Sequence, residues 1–326
     1  MQVVANALRA TDLPRDVVAT VGNYDGLHRG QRAVVDRVVA RARELGAPSA
    51  VVTFEPHPQT VLAPETAPPA LVTRQQKERL FAESGVDVLL VVAFTREFAA
   101  TPAERFVREF LAGRLKAREI YVGRRFAFGR DREGNLDLLE RLGTELGFRV
   151  EGLDELSQSG EIVSSTRIRR AIAEGRVEEA AELLGRPYAL AGRIVRGDRM
   201  GKRLGWPTIN VAPDNKLVPA DGVYACRVFF PSYPATFDCV TNIGTRPTVY
   251  ENYQRVVESH ILDFKANVYG QRVELQFYKR LREERIFPTV MDLSAQIGRD
   301  VEATREYFAQ RRRMEQETAP AALEGE

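Results

Sequence analysis

The sequence has little of what marks secreted, membrane-spanning or disulfide-stabilised proteins. It contains 2 cysteines in 326 residues, Cys226 and Cys239, too few for a disulfide scaffold. We interpret both as free thiols in a reducing compartment and expect a cytoplasmic protein. The longest apolar stretch, residues 86–94, is far shorter than the ~20 residues of a membrane-spanning helix and contains Asp87. The first residues lack the apolar segment of a signal peptide, so we expect no secretion and no membrane partner.

An excess of charge of one sign is also missing. The 47 lysines and arginines nearly balance the 45 aspartates and glutamates, which leaves a net charge of +2. This balance disfavours nucleic acid or an anionic membrane as the main partner, although it permits local basic sites for phosphate. The hydrophobic content of 44% is typical of globular proteins, and the length predicts about two domains.

The first half alternates short apolar runs with helical spacing. The predicted strands are residues 17–21, 50–54, 86–93 and 120–122. Apolar residues at helical spacing predict helices over residues 34–45 and 136–146. Thr73 with Gln76 has the pattern of a capping box, and Thr101, Pro102 and Glu104 are predicted as another helix start. This rhythm predicts an α/β, Rossmann-like parallel sheet with helices on both faces.

The second half changes rhythm after two short predicted helices, residues 167–174 and 177–184. The predicted strands are residues 189–196, 223–230, 237–243, 256–263 and 273–278. A long helix is predicted only over residues 290–311, so we expect an antiparallel β-barrel or sheet with a terminal helix. We place the first domain at 1–185 and the second at 186–311, and we expect the polar tail 312–326 to be disordered.

The turn after the first predicted strand, residues 17–21, has the composition of a phosphate-binding loop. Residues 22–31 read Gly-Asn-Tyr-Asp-Gly-Leu-His-Arg-Gly-Gln and lead into a predicted helix. Ligands bind at such turns in doubly wound sheets, because glycines and helix N–H groups let a phosphate approach the backbone. His28 can contact a phosphate there as negative charge develops. A tight turn with a surface histidine is the structural alternative, and glycine spacing alone does not decide.

This turn resembles the HxGH nucleotidyltransferase signature, in the form used by bacterial bifunctional riboflavin kinase/FMN adenylyltransferases (FAD synthetases). A second segment, residues 164–169 (SSTRIR), is similar to the family's ISSTxIR segment, which grips the ATP phosphates. Hydroxyls at a helix start and an arginine fork suit that role, although Ser165 can also be a simple N-cap. The resemblance implies an adenylyltransferase ATP site at Gly22, Asn23, Tyr24, Asp25, His28, Gly30, Gln31, Ser165, Thr166 and Arg169.

Gln31 departs from the family, which usually has a second histidine at this position. Glutamine can donate a neutral hydrogen bond but carries no charge. Loss of a charged donor at a transition-state site would cost roughly 2–3 kcal/mol, or some hundredfold in rate. We therefore expect either slower adenylyl transfer or compensation by another cation, with Arg29 adjacent in the sequence.

Two further segments resemble the flavin side of the adenylyltransferase. Residues 54–58 read FEPHP, and residues 123–129 match the pattern G-x-x-F-x-F-G. Two prolines stiffen the first loop, and its histidine can equally be a loop cap. The two phenylalanines of the second can stack on the isoalloxazine ring or anchor the core. The resemblance implies flavin contacts from His57, Pro58, Arg125, Phe126 and Phe128.

Residues 192–210 combine glycines with a basic stretch. Such a loop can close over a triphosphate, although a solvated hairpin has the same composition. Its end, GWPTIN at residues 205–210, resembles the riboflavin kinase PTAN motif with Ile209 in place of alanine. The resemblance implies a kinase ATP site at Gly197, Gly201, Lys202, Gly205, Pro207, Thr208 and Asn210. Thr208 and Asn210 are implied as the oxygen ligands of Mg²⁺.

Residues 257–264 resemble the family's strand with the catalytic glutamate. By that resemblance Glu258 accepts the proton of the ribityl 5′-hydroxyl. Alternation along the strand does not decide this, because Val256, Glu258 and His260 share one face and Val257, Ser259 and Ile261 share the other, so both faces mix apolar and polar residues. Residues 242–248 resemble the family's N-I-G-x-R-P-T turn. The flavin side of the kinase is implied at Arg282 and Phe287, in a segment that also includes Asp300.

Our hypothesis is therefore an enzyme with two successive reactions. The C-terminal domain phosphorylates riboflavin with MgATP to FMN, and the N-terminal domain adenylylates FMN to FAD with release of pyrophosphate. The catalytic residues are then Glu258 for the first step and His28 with Arg169 for the second. The alternatives are a kinase whose adenylyltransferase half is weakened by Gln31, a non-catalytic flavin-binding regulator, and a nucleotidyltransferase for another phosphate ester.

Overall fold

The computed structural model describes residues 1–197, 200–233, 235–246 and 254–318. The chain divides into two compact units, Met1–Arg167 and Ile168–Glu326. Within the described ranges, every helix is too short or too polar to cross a membrane.

The first unit is built on a six-stranded parallel sheet. Its strands are β1 (Gln2–Ala5), β2 (Val18–Val21), β3 (Ser49–Glu55), β4 (Val88–Ala93), β5 (Glu119–Gly123) and β6 (Arg149–Leu153). Their spatial order is β1-β4-β3-β2-β5-β6. Strands β3 and β4 therefore extend the sheet on one side of β2, and β5 and β6 extend it on the other, so the strand order reverses between β2 and β5. In open parallel sheets, ligands bind beyond the carboxyl ends of the strands at this point.

Helices cover both faces of this sheet, as predicted. They are α1 (Arg29–Leu45), α2 (Pro58–Leu62), α3 (Arg74–Glu83), α4 (Arg96–Ala99), α5 (Ala103–Phe106) and α6 (Leu136–Leu146), with a π-helix at Val107–Arg114. Val51 of β3 shares a buried cluster with Val35 of α1. Its neighbour Val52 belongs to a second cluster with Phe110 and Leu139. Successive side chains of a strand point to opposite faces, so both faces are dry.

Of the two helix starts predicted from capping residues, one is observed and the other begins at a different residue. Thr73 and Gln76 form the predicted reciprocal cap of α3. The helix predicted to start at Thr101 begins at Ala103 with Pro102 as its N-cap residue, so the assignment of Thr101 as the cap was wrong. A short hairpin, β7 (Ser157–Gln158) with β8 (Glu161–Ile162), precedes α7 (Ser165–Ala173). Helix α7 crosses the boundary between the two units.

The second unit contains a closed antiparallel barrel, which confirms the predicted fold class. Its strands are β9 (Tyr188–Val195), β10 (Ile209–Pro213), β11 (Gly222–Phe229), β12 (Thr236–Arg246), β13 (Gln254–Ile261) and β14 (Arg272–Arg282). The order around the barrel is β10-β13-β12-β11-β14-β9, and β10 pairs with β9 to close it. Strand β10 was not predicted, because it is short and lies in a stretch interrupted by prolines.

The helices of the second unit are α8 (Val177–Leu184), α9 (Met200–Arg203) and α10 (Val290–Thr318). Helix α10 packs Ile297 and Val301 against barrel residues Val223 and Val240. It also extends past the predicted end, so residues 312–318 are helical rather than part of a disordered tail. Arg312 there pairs with Asp238 of β12 at 2.7 Å, which anchors the extension. Residues 319–326 lie outside the described residues.

Candidate active sites

The turn after β2 has an unusual backbone held by buried side chains. Tyr24 and Leu27 have left-handed φ angles of 46° and 43°, and Gly26 between them has φ of 94°. Such angles are costly for residues other than glycine and persist where the surroundings over-determine them. Here the Tyr24 and Leu27 side chains are both buried, and the Tyr24 hydroxyl shares a hydrogen bond with Thr20. Burial raises the pKa of the Tyr24 phenol, so Tyr24 contributes a neutral anchor.

Asp25 connects the turn to two distant segments. Its carboxylate Oδ1 accepts the backbone N–H of Leu71 at 2.9 Å, and its backbone carbonyl accepts the Ser165 hydroxyl at 2.8 Å. The second contact brings together the two segments predicted to bind ATP, which lie 140 positions apart. The Asn23 carbonyl accepts the Thr53 hydroxyl at 3.1 Å, which ties the same turn to β3. Asp25 is buried and holds the turn in shape rather than facing solvent.

His28 and Gln31 form a reciprocal cap at the start of α1. The His28 Nδ1 accepts the Gln31 N–H, and the Gln31 Oε1 accepts the His28 N–H, each at 3.3 Å. Because Nδ1 accepts, the proton of the neutral ring is on Nε2. The side-chain oxygen of Gln31 is thus engaged with the helix start. Gly30 lies two residues after His28. A Cβ added to Gly30 would lie 3.4 Å from the His28 imidazole, which is an ordinary contact distance.

Two arginines near this turn are tied to the β7–β8 hairpin. Arg29 Nη1 donates to the Gln158 side-chain oxygen at 2.9 Å, and Arg167 Nη1 donates to the Gln158 carbonyl at 3.0 Å. The position of Arg29, the cation expected to compensate for Gln31, is thereby set by the hairpin. Arg169 lies on α7 one turn beyond Ser165 and is half-buried, whereas Thr166 is exposed at the start of the helix.

The predicted flavin contacts of the first unit divide into core and surface residues. Phe128 is buried and stacks on Phe126, with ring centroids 5.1 Å apart. Phe126 is only partly buried at the edge of that core. Arg125 is exposed and pairs with Glu155 at 3.1 Å. Of the two phenylalanines, Phe128 is therefore the core anchor.

The FEPHP segment leads from β3 directly into α2. The His57 Nδ1 accepts the N–H of Gln59 at 3.3 Å, and Pro58 is the first residue of the helix. A proline at that position is favourable, because its missing N–H would have no partner inside the helix. His57 therefore caps α2, beyond the carboxyl end of a strand adjacent to β2.

The barrel of the second unit contains a pocket of about 450 Å³. This volume is within the range that accommodates a drug-sized ligand. Five residues predicted for the kinase lie in its wall, namely Gly201, Thr208, Glu258, Arg282 and Phe287. Apolar side chains of the barrel and α10 complete it, with Trp206, Val223, Val240, Leu293 and Ile297 among them.

Strand register places polar residues in a row, and three of them, Asn242, Glu258 and Arg282, line this pocket. Glu258 of β13 pairs with Asn210 of β10 on one side and with Asn242 of β12 on the other. Asn242 pairs in turn with Val223, and Val223 with Arg282. Directly paired residues project on the same side of a sheet. Glu258 is thus flanked by two carboxamides, with an arginine further along the row.

The Arg282 side chain is held in place from several directions. Its Nε and Nη2 form a two-pronged contact with the Asp300 carboxylate, with the shortest distance 2.8 Å. Gln296 donates to the same carboxylate at 2.8 Å. The guanidinium groups of Arg282 and Arg285 lie 5.6 and 4.8 Å from the centre of the Phe287 ring. Because Asp300 is buried, its charge-assisted hydrogen bonds to Arg282 are shielded from solvent, and the two residues form part of the pocket wall.

The glycine-rich loop lies tightly against the motif that follows it. A Cβ added to Gly197 would lie 2.3 Å from the Asn210 amide, and one added to Gly201 would lie 2.4 Å from the Trp206 carbonyl. Gly205 has φ of 85° and lies in the turn that follows α9. The structure does not describe residues 198–199, the side chain of Lys202, or residues 247–248, which are the last two of the predicted 242–248 turn.

Several pocket residues had no role assigned from the sequence. Asn242, His260 and Arg285 all line the pocket. The shared face of Glu258 and His260 was visible in the alternation along the strand. The pairing of Asn242 with Glu258 depends on the register of two strands, which local sequence does not specify.

Comparisons with known proteins match both halves of the chain to families of known function. The family model for FAD synthetase matches residues 10–167, and the model for riboflavin kinase matches residues 184–308. The bifunctional riboflavin kinase/FMN adenylyltransferase of Escherichia coli K12 is 37% identical over 309 residues, 94% of this chain and 98% of that protein. The protein of the same name from Pseudomonas fluorescens is 40% identical over 307 residues, with 94% and 97% covered. The chain belongs to this family. The resemblance seen in the sequence is thereby confirmed.

A solved structure shares the fold of this family member over nearly its full length. It is titled as a macrolide-efflux protein from Streptococcus pneumoniae and matches with a TM-score of 0.83 at 27% identity. The match covers 93% of this chain and 98% of that one. What it shows for the present chain is the fold.

Proposed function

We propose that this chain phosphorylates riboflavin to FMN and then adenylylates FMN to FAD, with ATP as the co-substrate of both reactions. The observation that carries the proposal is the presence of both assembled sites in one member of the bifunctional family. The Ser165 hydroxyl contacts the Asp25 carbonyl in the first unit. In the second, Thr208 and Glu258 line one pocket.

The kinase reaction uses the barrel pocket. Riboflavin places its ring system among the apolar side chains and Phe287, with the ribityl chain toward Glu258. Glu258 accepts the proton of the 5′-hydroxyl, whose oxygen attacks the γ-phosphorus while ADP leaves. Asn210 and Asn242 flank the carboxylate and can donate hydrogen bonds to it. Catalysis here depends mainly on positioning.

Thr208 and Asn210 would hold Mg²⁺ in the kinase site. Both side chains carry neutral oxygen atoms, and they lie two residues apart, Thr208 just before β10 and Asn210 within it. Such a pair suits an ion that prefers hard oxygen ligands and takes the rest from phosphates and water. When bound, the ion supplies charge neutralisation for the transferring phosphate.

The adenylyl transfer uses the turn after β2 and the start of α7. A phosphate oxygen of FMN attacks the α-phosphorus of ATP, and pyrophosphate leaves. The His28 Nε2–H and the helix N-termini stabilise the developing charge, with Arg169 as the predicted cation. Because the Ser165 hydroxyl donates to Asp25, it serves to hold the turn, and Thr166 with the α7 N–H groups supplies the phosphate donors.

The division of labour follows the two predicted domains, 1–185 and 186–311. The family matches to residues 10–167 and 184–308 support this assignment. We place the protein in the cytoplasm, where its two buried free thiols are compatible with a reducing environment. The kinase-only and regulator alternatives are not favoured, since both predicted ATP motifs are assembled and the full-length relatives are named for both activities.

Product analysis with riboflavin and MgATP, scoring FMN and FAD separately, tests the proposal. Glu258→Ala should abolish FMN formation and leave FMN-to-FAD conversion intact, because the carboxylate acts only on the ribityl hydroxyl. His28→Ala should do the reverse. If either substitution abolishes both reactions in a folded protein, the division of labour is wrong.

A further inference from the structure

We propose that His260 is a positioning residue of the kinase site, which holds Pro207 so that the adjacent Thr208 stays beside Glu258. The proposal rests on the kinase activity proposed above and names a further residue on which that activity depends.

A single hydrogen bond carries the argument. The His260 Nδ1 lies 2.8 Å from the carbonyl oxygen of Pro207. A carbonyl oxygen can only accept, so the ring must donate, and Nδ1 carries a proton. Pro207 itself has no N–H and cannot donate to a neighbouring strand. The imidazole therefore attaches this residue through its carbonyl, the one backbone group that a proline offers.

The attachment lies where the strand pairing ends. Strand β10 pairs with β13 from Ile209 to Val211, and the first pair is Ile209 with Ser259. Thr208 immediately precedes this ladder, yet it is the residue predicted to face the phosphates. His260 follows Ser259, so its side chain extends the contact between the two strands past Thr208 to Pro207. Thr208 is thereby held on both sides.

Trp206 completes the attachment. Its ring lies edge-on to the His260 imidazole, with centroids 5.4 Å apart. Its indole N–H donates to the Ser294 hydroxyl of α10 at 3.1 Å, and its backbone N–H donates to the Gly201 carbonyl at 2.8 Å. The segment 206–208 is thus fixed mainly by side chains, and His260 contacts two of its three residues.

His260 is also coupled to the catalytic carboxylate by the strand itself. Glu258 and His260 are two positions apart on β13, project on the same side and line the same pocket. One strand therefore carries both the predicted base and the residue that holds the predicted phosphate ligand. A misplacement of about 1 Å in such a constellation can cost on the order of a hundredfold in rate.

Two substitutions separate the hydrogen bond from simple packing. His260→Asn keeps a donor close to the position of Nδ1 but removes the ring. His260→Phe keeps a ring against Trp206 but removes the donor. If His260 acts through the bond to Pro207, only the Phe variant is impaired. If it only packs against Trp206, the order is reversed.

The readout is steady-state phosphorylation of riboflavin with varied MgATP, with FMN-to-FAD conversion measured on the same preparation. We expect His260→Phe to lower kcat/KM for MgATP by roughly 10- to 100-fold and His260→Asn to stay within about threefold of wild type. FMN-to-FAD conversion should be unchanged in both. A Phe variant with wild-type phosphorylation, or an Asn variant as impaired as the Phe variant, overturns the proposal.

A measurement on the wild-type chain covers the case in which a variant fails to fold. The chain has 3 histidines, so their ring nitrogens can be assigned in a single long-range ¹H–¹⁵N spectrum at a pH where they are neutral. His28 and His57 accept hydrogen bonds at Nδ1 and should be protonated at Nε2. His260 should show the opposite tautomer, and an Nε2–H form of His260 overturns the proposal. If wild-type protein makes no FMN, the proposed function fails instead, and the tautomer still reports on the contact.

Discussion

At the scale of single residues, Gln31 shows how a departure from a family motif acquires a structural role. Its side-chain oxygen accepts the His28 N–H, and its backbone N–H donates to the imidazole. Glutamine at the third position of a helix is a favoured partner in such reciprocal caps. We therefore interpret Gln31 as a residue that fixes the orientation of His28. That it also slows adenylyl transfer stays a prediction.

Gln31→Ala tests this interpretation. Loss of the acceptor should destabilise the start of α1 by about 1 kcal/mol and lower kcat for FMN adenylylation by roughly 3- to 10-fold, because His28 becomes less ordered. Thermal unfolding and FAD formation measure the two effects, and riboflavin phosphorylation is the internal control. Gln31→Glu retains an acceptor and should retain the stability. An alanine variant equal to wild type in both measurements contradicts a capping role.

Gln31→His addresses the missing charge separately. If the family's second histidine supplies a phosphate contact that this chain lacks, the substitution should raise kcat for FMN adenylylation by up to about a hundredfold. A variant that folds and adenylylates at the wild-type rate would mean that Gln31 costs this enzyme nothing.

At the scale of elements, the loop between β9 and β10 is shaped by two close approaches. Gly197 and Gly201 each lie against the 206–210 motif at distances that leave no room for a side chain. A Cβ at Gly197 would press on the Asn210 amide, which is predicted to face the phosphates. Because these two positions are glycines, the backbone of the loop can lie close to the predicted ATP site. The loop and the motif therefore pack together as one structural element.

Gly197→Ala should therefore impair the kinase more than the fold. We expect KM for MgATP in riboflavin phosphorylation to rise by about tenfold, since the methyl group must displace Asn210 or the loop. Gly298→Ala on α10 is a matched control, because the added methyl group would lie 3.6 Å from Trp206, an ordinary contact. Steady-state kinetics of both variants decide the matter, and equal values for the two would show that the Gly197 contact is dispensable.

At the scale of the whole molecule, each unit has its own apolar core, and the barrel buries both cysteines. Cys226 of β11 lies directly opposite Cys239 of β12, and both are free and fully buried. Burial raises the pKa of Cys239 to about 12 and that of Cys226 well above its usual range. Because the thiolate is the reactive form, neither cysteine should react in the folded protein.

A thiol-specific reagent at neutral pH checks this expectation. Native protein should show essentially no labelling over minutes, and denatured protein should show both thiols. Because a raised pKa keeps each thiol protonated at neutral pH, the labelling rate of the native protein should increase only as the pH approaches that raised pKa. Rapid labelling of native protein would mean that the barrel opens locally at β11 and β12.

Much of the architecture could be predicted from the sequence, because it follows from local periodicity. The alternation of apolar runs and helical spacing predicted the parallel sheet, and residues 136–146 were predicted as a helix with the bounds observed for α6. The reciprocal cap at Thr73 and Gln76 was also predicted. Strands β1, β6 and β10 were not predicted, and neither were the two-residue strands β7 and β8. They are short, and whether two to five residues join a sheet depends on their neighbours.

The amino-acid sequence by itself determined the order of the elements, the two motifs that mark the sites and the family. Tertiary structure alone decided what those motif residues contact. The contact of Ser165 with Asp25, the flanking of Glu258 by Asn210 and Asn242, and the bond from His260 to Pro207 join residues far apart in the chain. Each depends on strand register or on how a turn meets a distant helix. No local pattern encodes such pairings, because they arise only when the cores of the two units have formed.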